Sequence, residues 1–154
     1  MASDEETFRR LLTELRLLEG TAEALQNQTS LVNAAMTELA FASATIEGMG
    51  EEKEGTPLLV PIGGGSFIKA ETATIDTIVV GMGAGVSVEK PREEAKQIVD
   101  KRIAELEKSM TAIQQQLSQV MEQMRANRQQ LDEVSLRLSG KRGAGDVRET
   151  KGRA

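Results

Sequence analysis

The sequence predicts an α+β fold in which a long antiparallel α-helical coiled coil carries two central β-hairpins. Two stretches with a seven-residue apolar repeat flank the middle of the chain, and the two repeats have equal length. The middle is instead rich in Val, Ile and Gly, which is typical of strands and tight turns. The predicted segments are a helix over 1–49, two hairpins over 50–90 (the hub), a second helix over 91–139 and a basic tail over 140–154.

The first helix is predicted from its start signals and its heptad. Ser3 and Glu6 have the spacing of a capping box, in which each side chain bonds the backbone N–H of the other residue. Ten of the twelve a and d positions are apolar over six repeats, which keeps one stripe, the seam, facing a partner helix. Gly48 and Gly50 are expected to end the helix. The a positions are Phe8, Leu15, Ala22, Thr29, Met36 and Ser43, and the d positions are Leu11, Leu18, Leu25, Val32, Leu39 and Ile46.

The hub is predicted to contain two glycine-marked hairpins. Strands Leu58–Ile62 and Ser66–Glu71 flank three glycines, and strands Ile75–Met82 and Gly85–Glu89 flank a turn near Gly83. Short hairpins alone are marginal in water and leave unpaired edges, so we expect the hub to join strands of other chains in an oligomer. The predicted assembly residues are Leu58, Val60, Ile62, Phe67, Ile68, Ile78, Val80, Val86 and Val88.

The second helix is predicted to begin at Pro91, a residue that suits the first helical position. Its heptad has one polar member, Asn127, which is expected to fix register at some cost in stability. The two helices are predicted to fold back antiparallel, and Gly140 to end the second one before a disordered tail. The d positions are Val99, Leu106, Ile113, Val120, Asn127 and Val134, and the a positions are Ile103, Met110, Leu117, Met124, Leu131 and Leu138.

Composition excludes several classes of function. The chain has no Cys and no His, which removes disulfides, zinc thiolate sites and the commonest general base, and a reducing compartment is expected. No apolar run approaches the roughly 20 residues of a membrane span, so we expect a soluble intracellular protein. Residues 140–154 carry five basic side chains against Asp146 and Glu149, so the net charge of −5 leaves −8 elsewhere, which disfavours nucleic acid as a partner.

The glycine runs are predicted to form turns and not a nucleotide site. The segment from Gly81 to Gly85 resembles part of a dinucleotide fingerprint, but its third glycine position is Val86 and a strand follows it. The run from Gly63 to Gly65 lacks the lysine of a phosphate-binding loop. Acid pairs such as Glu93 with Glu94 suit a helix start, so no catalytic, cofactor or metal site is predicted. An enzyme that uses the glycine loops remains the third hypothesis.

Apolar residues away from the seam suggest a binding surface near the free ends of the helices. Exposed apolar groups cost solubility, so a cluster at a free end indicates contact with another apolar surface. The alternative is that the off-seam leucines only widen the apolar stripe. A second off-seam set, Phe41, Met49 and Ile98, is expected to pack on the hub or on a neighbouring helix pair. The predicted tip residues are Phe8, Leu11, Leu12, Leu17, Val134, Leu136 and Leu138.

The hub sequences LLVPIGGGSFIKAE and IVVGMGAGVSVEK, set between equal heptads, resemble the alpha-type subunit of prefoldin. The resemblance covers residues 5–139, and two hairpins favour the alpha type because beta-type subunits carry one. It implies a hexamer of two alpha-type and four beta-type subunits, with the hairpins closed into oligomeric β-barrels. It further implies a cytoplasmic, ATP-independent chaperone that captures non-native polypeptides and transfers them to a group II chaperonin.

The resemblance also implies where clients bind, namely at helix ends that correspond to Phe8–Leu18 and Val134–Leu138. Neither a membrane nor nucleic acid is an expected partner. The alternative function is a prefoldin-like structural subunit that self-assembles through its hub into rings or filaments.

Overall fold

The structure is a computed structural model that describes the backbone of residues 3–150 and the side chains of residues 3–141. Its elements follow the predicted order of helix, two hairpins and helix, which confirms the α+β fold. They are α1 Asp4–Met49, β1 Pro57–Gly63, β2 Ser66–Glu71, β3 Thr77–Gly83, β4 Val86–Pro91 and α2 Arg92–Thr150.

The chain divides into two compact units. The first unit comprises Met1–Ser30 with Met110–Ala154, and the second comprises Leu31–Ser109. Each helix contributes a segment to both units, and both hairpins belong to the second. Every a and d position of the two predicted heptads is buried or half-buried, so the heptad assignment is confirmed in each unit.

The start of α1 is fixed by the predicted capping box. The backbone N–H of Ser3 donates to Glu6 Oε2 at 3.0 Å, and the backbone N–H of Glu6 donates to Ser3 Oγ at 3.2 Å. Both donors would otherwise lack an intrahelical partner. The helix ends at Met49, where the N–H of Gly50 bonds the carbonyl of Glu47 at 3.0 Å and the chain turns away.

In the first unit, the antiparallel helix segments are held by an apolar seam and by ion pairs at its edges. Leu11, Leu131 and Val134 form the buried cluster, and Phe8 and Leu138 pack against it as predicted. At the edges of the seam, Arg128 Nη2 lies 3.2 Å from Glu19 Oε1, and Arg137 Nε lies 3.6 Å from Asp4 Oδ1. Asp4 also pairs with Lys141. The pairs lie largely in solvent, so apolar burial supplies most of the stabilisation.

In the second unit, the seam merges with the second hairpin. Ile46 of α1, Val80 of β3, and Ala95 and Val99 of α2 form one buried cluster. Beside it, Ser43 Oγ donates to Asp100 Oδ1 at 2.6 Å, and Lys96 Nζ donates to Asp100 Oδ2 at 2.8 Å. The hydrogen bond from Lys96, followed by that from Ser43, holds the pKa of Asp100 below its usual value.

The two hairpins form separate two-stranded antiparallel sheets, β1 with β2 and β3 with β4. Their tight turns are Gly64-Gly65 and Ala84-Gly85, and all four residues have positive φ, as a type I′ turn requires. The register shifts once in each hairpin, between Pro61 and Gly63 and between Gly81 and Gly83. The hairpins are therefore copies of one unit, offset by 20 residues along the chain.

Two helix boundaries differ from the prediction. Pro91 pairs with Thr77 as the last residue of β4, so α2 begins at Arg92, one residue later than expected. At the other end, α2 continues through Gly140 to Thr150, which corrects the predicted stop and disordered tail over this range. One glycine costs a helix only about 1 kcal/mol, and Lys141 beyond it is held by Asp4. Residues 151–154 of the predicted tail lie outside the described residues.

The network around Asp100 predicts a pH-dependent contribution to stability. A carboxyl whose pKa is lowered by folding stabilises the fold above its unfolded pKa of about 3.9, and this contribution is lost as pH falls through the folded pKa. We therefore expect Asp100→Asn to lower the urea midpoint of helix unfolding at pH 6, with the gap from the unaltered chain shrinking towards pH 3. Asp132→Asn, at an exposed carboxyl, is the control and should open no such gap. A gap at Asp100 that stays constant with pH would contradict the assignment.

Candidate functional site

The first hairpin presents apolar side chains on both of its faces. Its register places Leu58, Val60, Ile68 and Ala70 on one face, which carries no charge. Val60 and Ile68 are exposed, as are Ile62 and Phe67 among the predicted assembly residues and Leu59, which was not predicted. So many exposed apolar groups on one two-stranded sheet indicate a surface that another chain covers.

The second hairpin uses one face within its own chain. Val80 is 5 % exposed and lies in the cluster with Ile46, Ala95 and Val99, while Ile78 packs against that cluster. These two predicted assembly residues therefore belong to the core of the second unit. Val86 and Val88 are exposed, and their role in assembly stays a prediction.

Val79, the neighbour of Val80, is 69 % exposed and was missed. Alternation along a strand shows that two successive valines point to opposite faces, but not which face is covered.

An apolar groove of about 740 Å³ lies beside β3 within the second unit. Phe41, Thr45 and Met49 of α1 and Val79 of β3 are among the residues that line it. Phe41 is exposed here, whereas Ile98, from the same predicted set, packs on the buried cluster.

Arg102 lines the groove near Gly81. Its Nη2 donates to the carbonyl of Gly81 at 2.7 Å and so satisfies one acceptor of β3. The groove therefore has apolar walls, and beside it the backbone carbonyl of Gly81 in β3 already has a hydrogen-bond partner.

The predicted tip residues fall into three classes. Leu11 and Val134 are buried in the seam of the first unit and are therefore not available at the surface. Phe8, Leu12 and Leu138 are half-buried and pack against the same cluster. Leu17 and Leu136 are 69 % and 74 % exposed. Their heptad positions point away from the partner helix, which is the sequence signal that separates them from the seam.

Ion pairs of Asp4 hold the two helix segments together near the start of α1. The hydrogen bond from Lys141 and the nearby charges of Lys141 and Arg137 lower the pKa of Asp4. The carboxylate ties the first turn of α1 to α2 through its ion pairs with Arg137 and Lys141. These contacts leave Leu17 and Leu136 uncovered, so the exposed leucines lie beside a closed seam.

The glycine runs serve as hairpin turns. Gly63, Gly64 and Gly65 have positive φ and join β1 to β2, and Gly83 and Gly85 do the same between β3 and β4. Each run is followed by a strand, whereas a phosphate-binding loop is followed by a helix. Within residues 3–150, neither helix contains a stretch long and apolar enough to cross a membrane.

Comparison with known proteins agrees with this architecture. A family model described as Prefoldin subunit matches residues 18–136, which includes both hairpins and most of both helices. The chain belongs to the prefoldin family. Prefoldin is a chaperone family, and its members are subunits of oligomeric complexes.

Several similar prefoldin chains are of the alpha type. Prefoldin subunit alpha of Methanothrix thermoacetophila is 34% identical over 111 residues, which is 72% of each chain. Prefoldin subunit alpha of Methanobrevibacter smithii is 31% identical and covers 69% of this chain and 72% of its own. That of Pyrococcus horikoshii is 30% identical, with coverage of 74% and 78%.

A solved structure shares the prefoldin fold. The cryo-EM structure of filamentous PFD from Methanocaldococcus jannaschii matches with a TM-score of 0.64 and covers 73% of this chain and 93% of that one. Sequence identity to it is 22%, so the match concerns the fold alone.

Val79 and Val80 are adjacent in β3, and we expect a carboxylate to lower the free energy of unfolding far more at Val80 than at Val79. Val80→Asp would bury a carboxylate among Ile46, Ala95 and Val99, so we expect the free energy of unfolding to fall by about 3 kcal/mol or more. Val79→Asp places the same charge at the surface, opposite Glu89, and should lower it by less than about 1 kcal/mol. Urea unfolding followed by circular dichroism measures both, and equal losses would show that the strand faces are misassigned.

Proposed function

We propose that this chain is the alpha subunit of a prefoldin complex that captures non-native polypeptides without ATP in the cytoplasm and transfers them to a group II chaperonin. The observation that carries the proposal is the pair of hairpins between two heptad helices, in a chain that is 31–34% identical to relatives named prefoldin subunit alpha. Exposed leucines near the chain ends supply a surface for apolar segments of unfolded chains.

The partners we infer are beta-type subunits, four of them with two copies of this chain. Two-stranded sheets leave backbone groups unpaired along their outer strand edges, and strands from neighbouring chains would pair with them. Val60, Phe67, Ile68, Val86 and Val88 are exposed apolar residues that such an assembly would cover. This arrangement corresponds to an oligomeric β-barrel built by hairpins from several chains.

Client capture in this proposal begins at Leu17 and Leu136. Hydrophobic contact is non-directional and therefore accepts many client sequences. A single leucine side chain contributes only about 1.5–3 kcal/mol when fully buried, so each contact is weak and reversible. Several subunits acting together would raise the overall affinity through effective concentration without any tighter individual contact.

Removing the exposed leucines should weaken capture without affecting assembly. We expect the double variant Leu17→Ser with Leu136→Ser to need about tenfold more complex for half-suppression of client aggregation, because apolar burial is lost at both sites. The measurement is light scattering of a heat-denatured client with this chain and a beta-type subunit. Leu31→Ser is the matched control, since Leu31 is 72 % exposed on the same helix but lies outside the proposed surface.

These measurements distinguish client binding at Leu17 and Leu136 from a packing role of the two leucines and from binding along the whole helix. If the double variant no longer assembles, the two leucines are packing residues and the assignment is wrong. If Leu31→Ser weakens capture equally, binding is spread along the helix and not concentrated at the proposed residues. Transfer is tested by adding a group II chaperonin, and the captured client should then leave the complex.

The exposed hub also favours a second candidate, a structural subunit that assembles with itself into rings or filaments. Native mass of the purified chain, with and without a beta-type subunit, distinguishes the two functions. Small oligomers that become hexamers on addition of the partner support the chaperone, and large homopolymers support the structural protein. In either case Val86→Asp should abolish assembly, because it would bury a carboxylate at the covered surface.

A further inference from the structure

The two hairpins have equivalent residues at their open ends. Thr72 follows β2 and Arg92 follows β4, at the offset of 20 residues that relates the two hairpins. The backbone N–H of Thr72 donates to the carbonyl of Thr56 at 3.1 Å, and that of Arg92 donates to the carbonyl of Asp76 at 2.9 Å. Each bond continues the pairing of its hairpin by one step, so Thr72 and Arg92 occupy the same place in the two copies.

Thr72 is bonded through every one of its polar groups to residues 50–56, the segment between α1 and β1 that we name the connector. Its Oγ1 donates to the carbonyl of Lys53 at 3.0 Å and accepts from the N–H of Thr56 at 3.0 Å. Its carbonyl accepts from the N–H of Gly55 at 2.8 Å. Thr72 is 9 % exposed, so a bond lost here would leave a largely buried group unpaired. The first hairpin is thus held to the connector at Thr72.

Arg92 reaches the opposite end of the connector. A Cβ built on Gly50 would lie 2.7 Å from Arg92 Cζ and nearer still to Nη1, so the guanidinium occupies the space that the glycine leaves. The last turn of α1 has no basic residue, and a cation at a helix C-terminus is favourable. Among the described residues Arg92 Nε is buried without an acceptor, so the side chain depends on this fit at Gly50. The second hairpin is thus held to the connector at Gly50.

The connector is itself bonded to the end of α1. The N–H groups of residues 50–52 donate to the carbonyls of residues 47–49 at 3.0, 3.2 and 3.3 Å. Further along, Gly55 has a φ of 80°, a conformation that favours glycine, and this turn brings its N–H to Thr72. One short segment therefore contacts the end of α1 and the open ends of both hairpins.

We propose that the connector is a brace that fixes the two hairpins in one mutual orientation before beta-type subunits bind, with Thr72 and Arg92 as its positioning residues. The inference rests on the proposed assembly with beta-type subunits and names the residues that prepare the hub for it. Partner chains that must meet both hairpins lose less freedom on binding when the orientation is already set, so the brace raises their affinity.

Spin labels measure the orientation without any partner. Because the chain has no Cys, Lys69→Cys and Ser87→Cys, at exposed positions of β2 and β4, place one label on each hairpin. We expect one narrow distribution of distances between the labels, and loss of that narrow peak when Thr72→Val or Arg92→Leu is added. A peak that stays narrow in both variants, or a distribution that is already broad in the unaltered background, would overturn the proposal.

Matched variants show whether the connector contacts are responsible. Gly50→Ala should push the flexible end of Arg92 aside without changing the charge, so it should broaden the distances as Arg92→Leu does, and combining the two should add little. Gly48→Ala is its control, since a Cβ there meets no atom within 4 Å. Thr72→Ser keeps the hydroxyl and should keep the narrow peak.

Thr77→Val is the control for Thr72→Val. It removes a side-chain hydrogen bond to Glu89 Oε1 of 2.7 Å that lies wholly within the second hairpin. The distances should therefore stay narrow. Equal broadening by Thr77→Val would show that any lost bond loosens the hairpins and that the connector has no special part.

The assembly measurement separates this inference from the proposed function. With the full chain, Thr72→Val and Gly50→Ala should each raise the concentration of beta-type subunit needed for half-assembly, followed by native mass, by about tenfold. Thr72→Ser and Gly48→Ala should stay near the unaltered value, and the urea midpoint of helix unfolding should not move in any of them. A midpoint that falls in parallel with assembly would reveal a general loss of structure and contradict the positioning role.

Two further outcomes remain distinct. If the variants broaden the label distances but assemble as readily as the unaltered chain, the brace does not prepare the hub and the inference fails, while the proposed function stands. If the unaltered chain forms no complex with beta-type subunits, the proposed function fails, and the label distances still decide whether the connector orients the hairpins.

Discussion

Unsatisfied strand edges are the constraint on which the rest of the structure depends. Each sheet has only two strands, so one side of every strand lacks a backbone partner. The chain anchors one hairpin by burying Val80 between its helices, but the face of the other hairpin that carries Val60 and Ile68 stays open. Because the hairpins share one register 20 residues apart, this difference comes from their surroundings and not from their own fold. The uncovered copy is the part that requires another polypeptide.

The seam meets a different requirement, because it must hold two helices together with few large side chains. The chain has three Phe and no Trp or Tyr, so burial comes from a single line of Leu, Val, Ile and Met. Such a line has no second layer to compensate for a defect. An unpaired Asn127 therefore weakens its level of the seam more than it would weaken a thick core, where neighbouring side chains or a bound water can adapt.

Periodic features of the sequence predicted most of the fold. The heptads located both seams, and the glycine-rich runs located both turns, because each signal acts locally through backbone geometry. The direction in which Val79 and Val80 point was not predictable, since it depends on which face of the hairpin meets the helices. Continuation of α2 past Gly140 was also missed, because the contact of Lys141 with Asp4 joins residues far apart in sequence. The heptad already placed Leu11 and Val134 in the seam and Leu17 and Leu136 outside it, and their burial agrees with that assignment.

The chain has two exposed apolar surfaces, the hub and the pair Leu17 with Leu136. They are suited to contacts of different lifetime. In the hub, several exposed apolar side chains lie on strands whose edges also offer hydrogen bonds, so a partner gains burial and backbone pairing together. Leu17 and Leu136 lie on helices whose backbone groups are already paired, and they offer burial alone. A surface that offers both kinds of interaction favours stable assembly. One that offers only a few apolar side chains favours contacts that form and break readily, which is the kind of contact that the proposed release of a client requires.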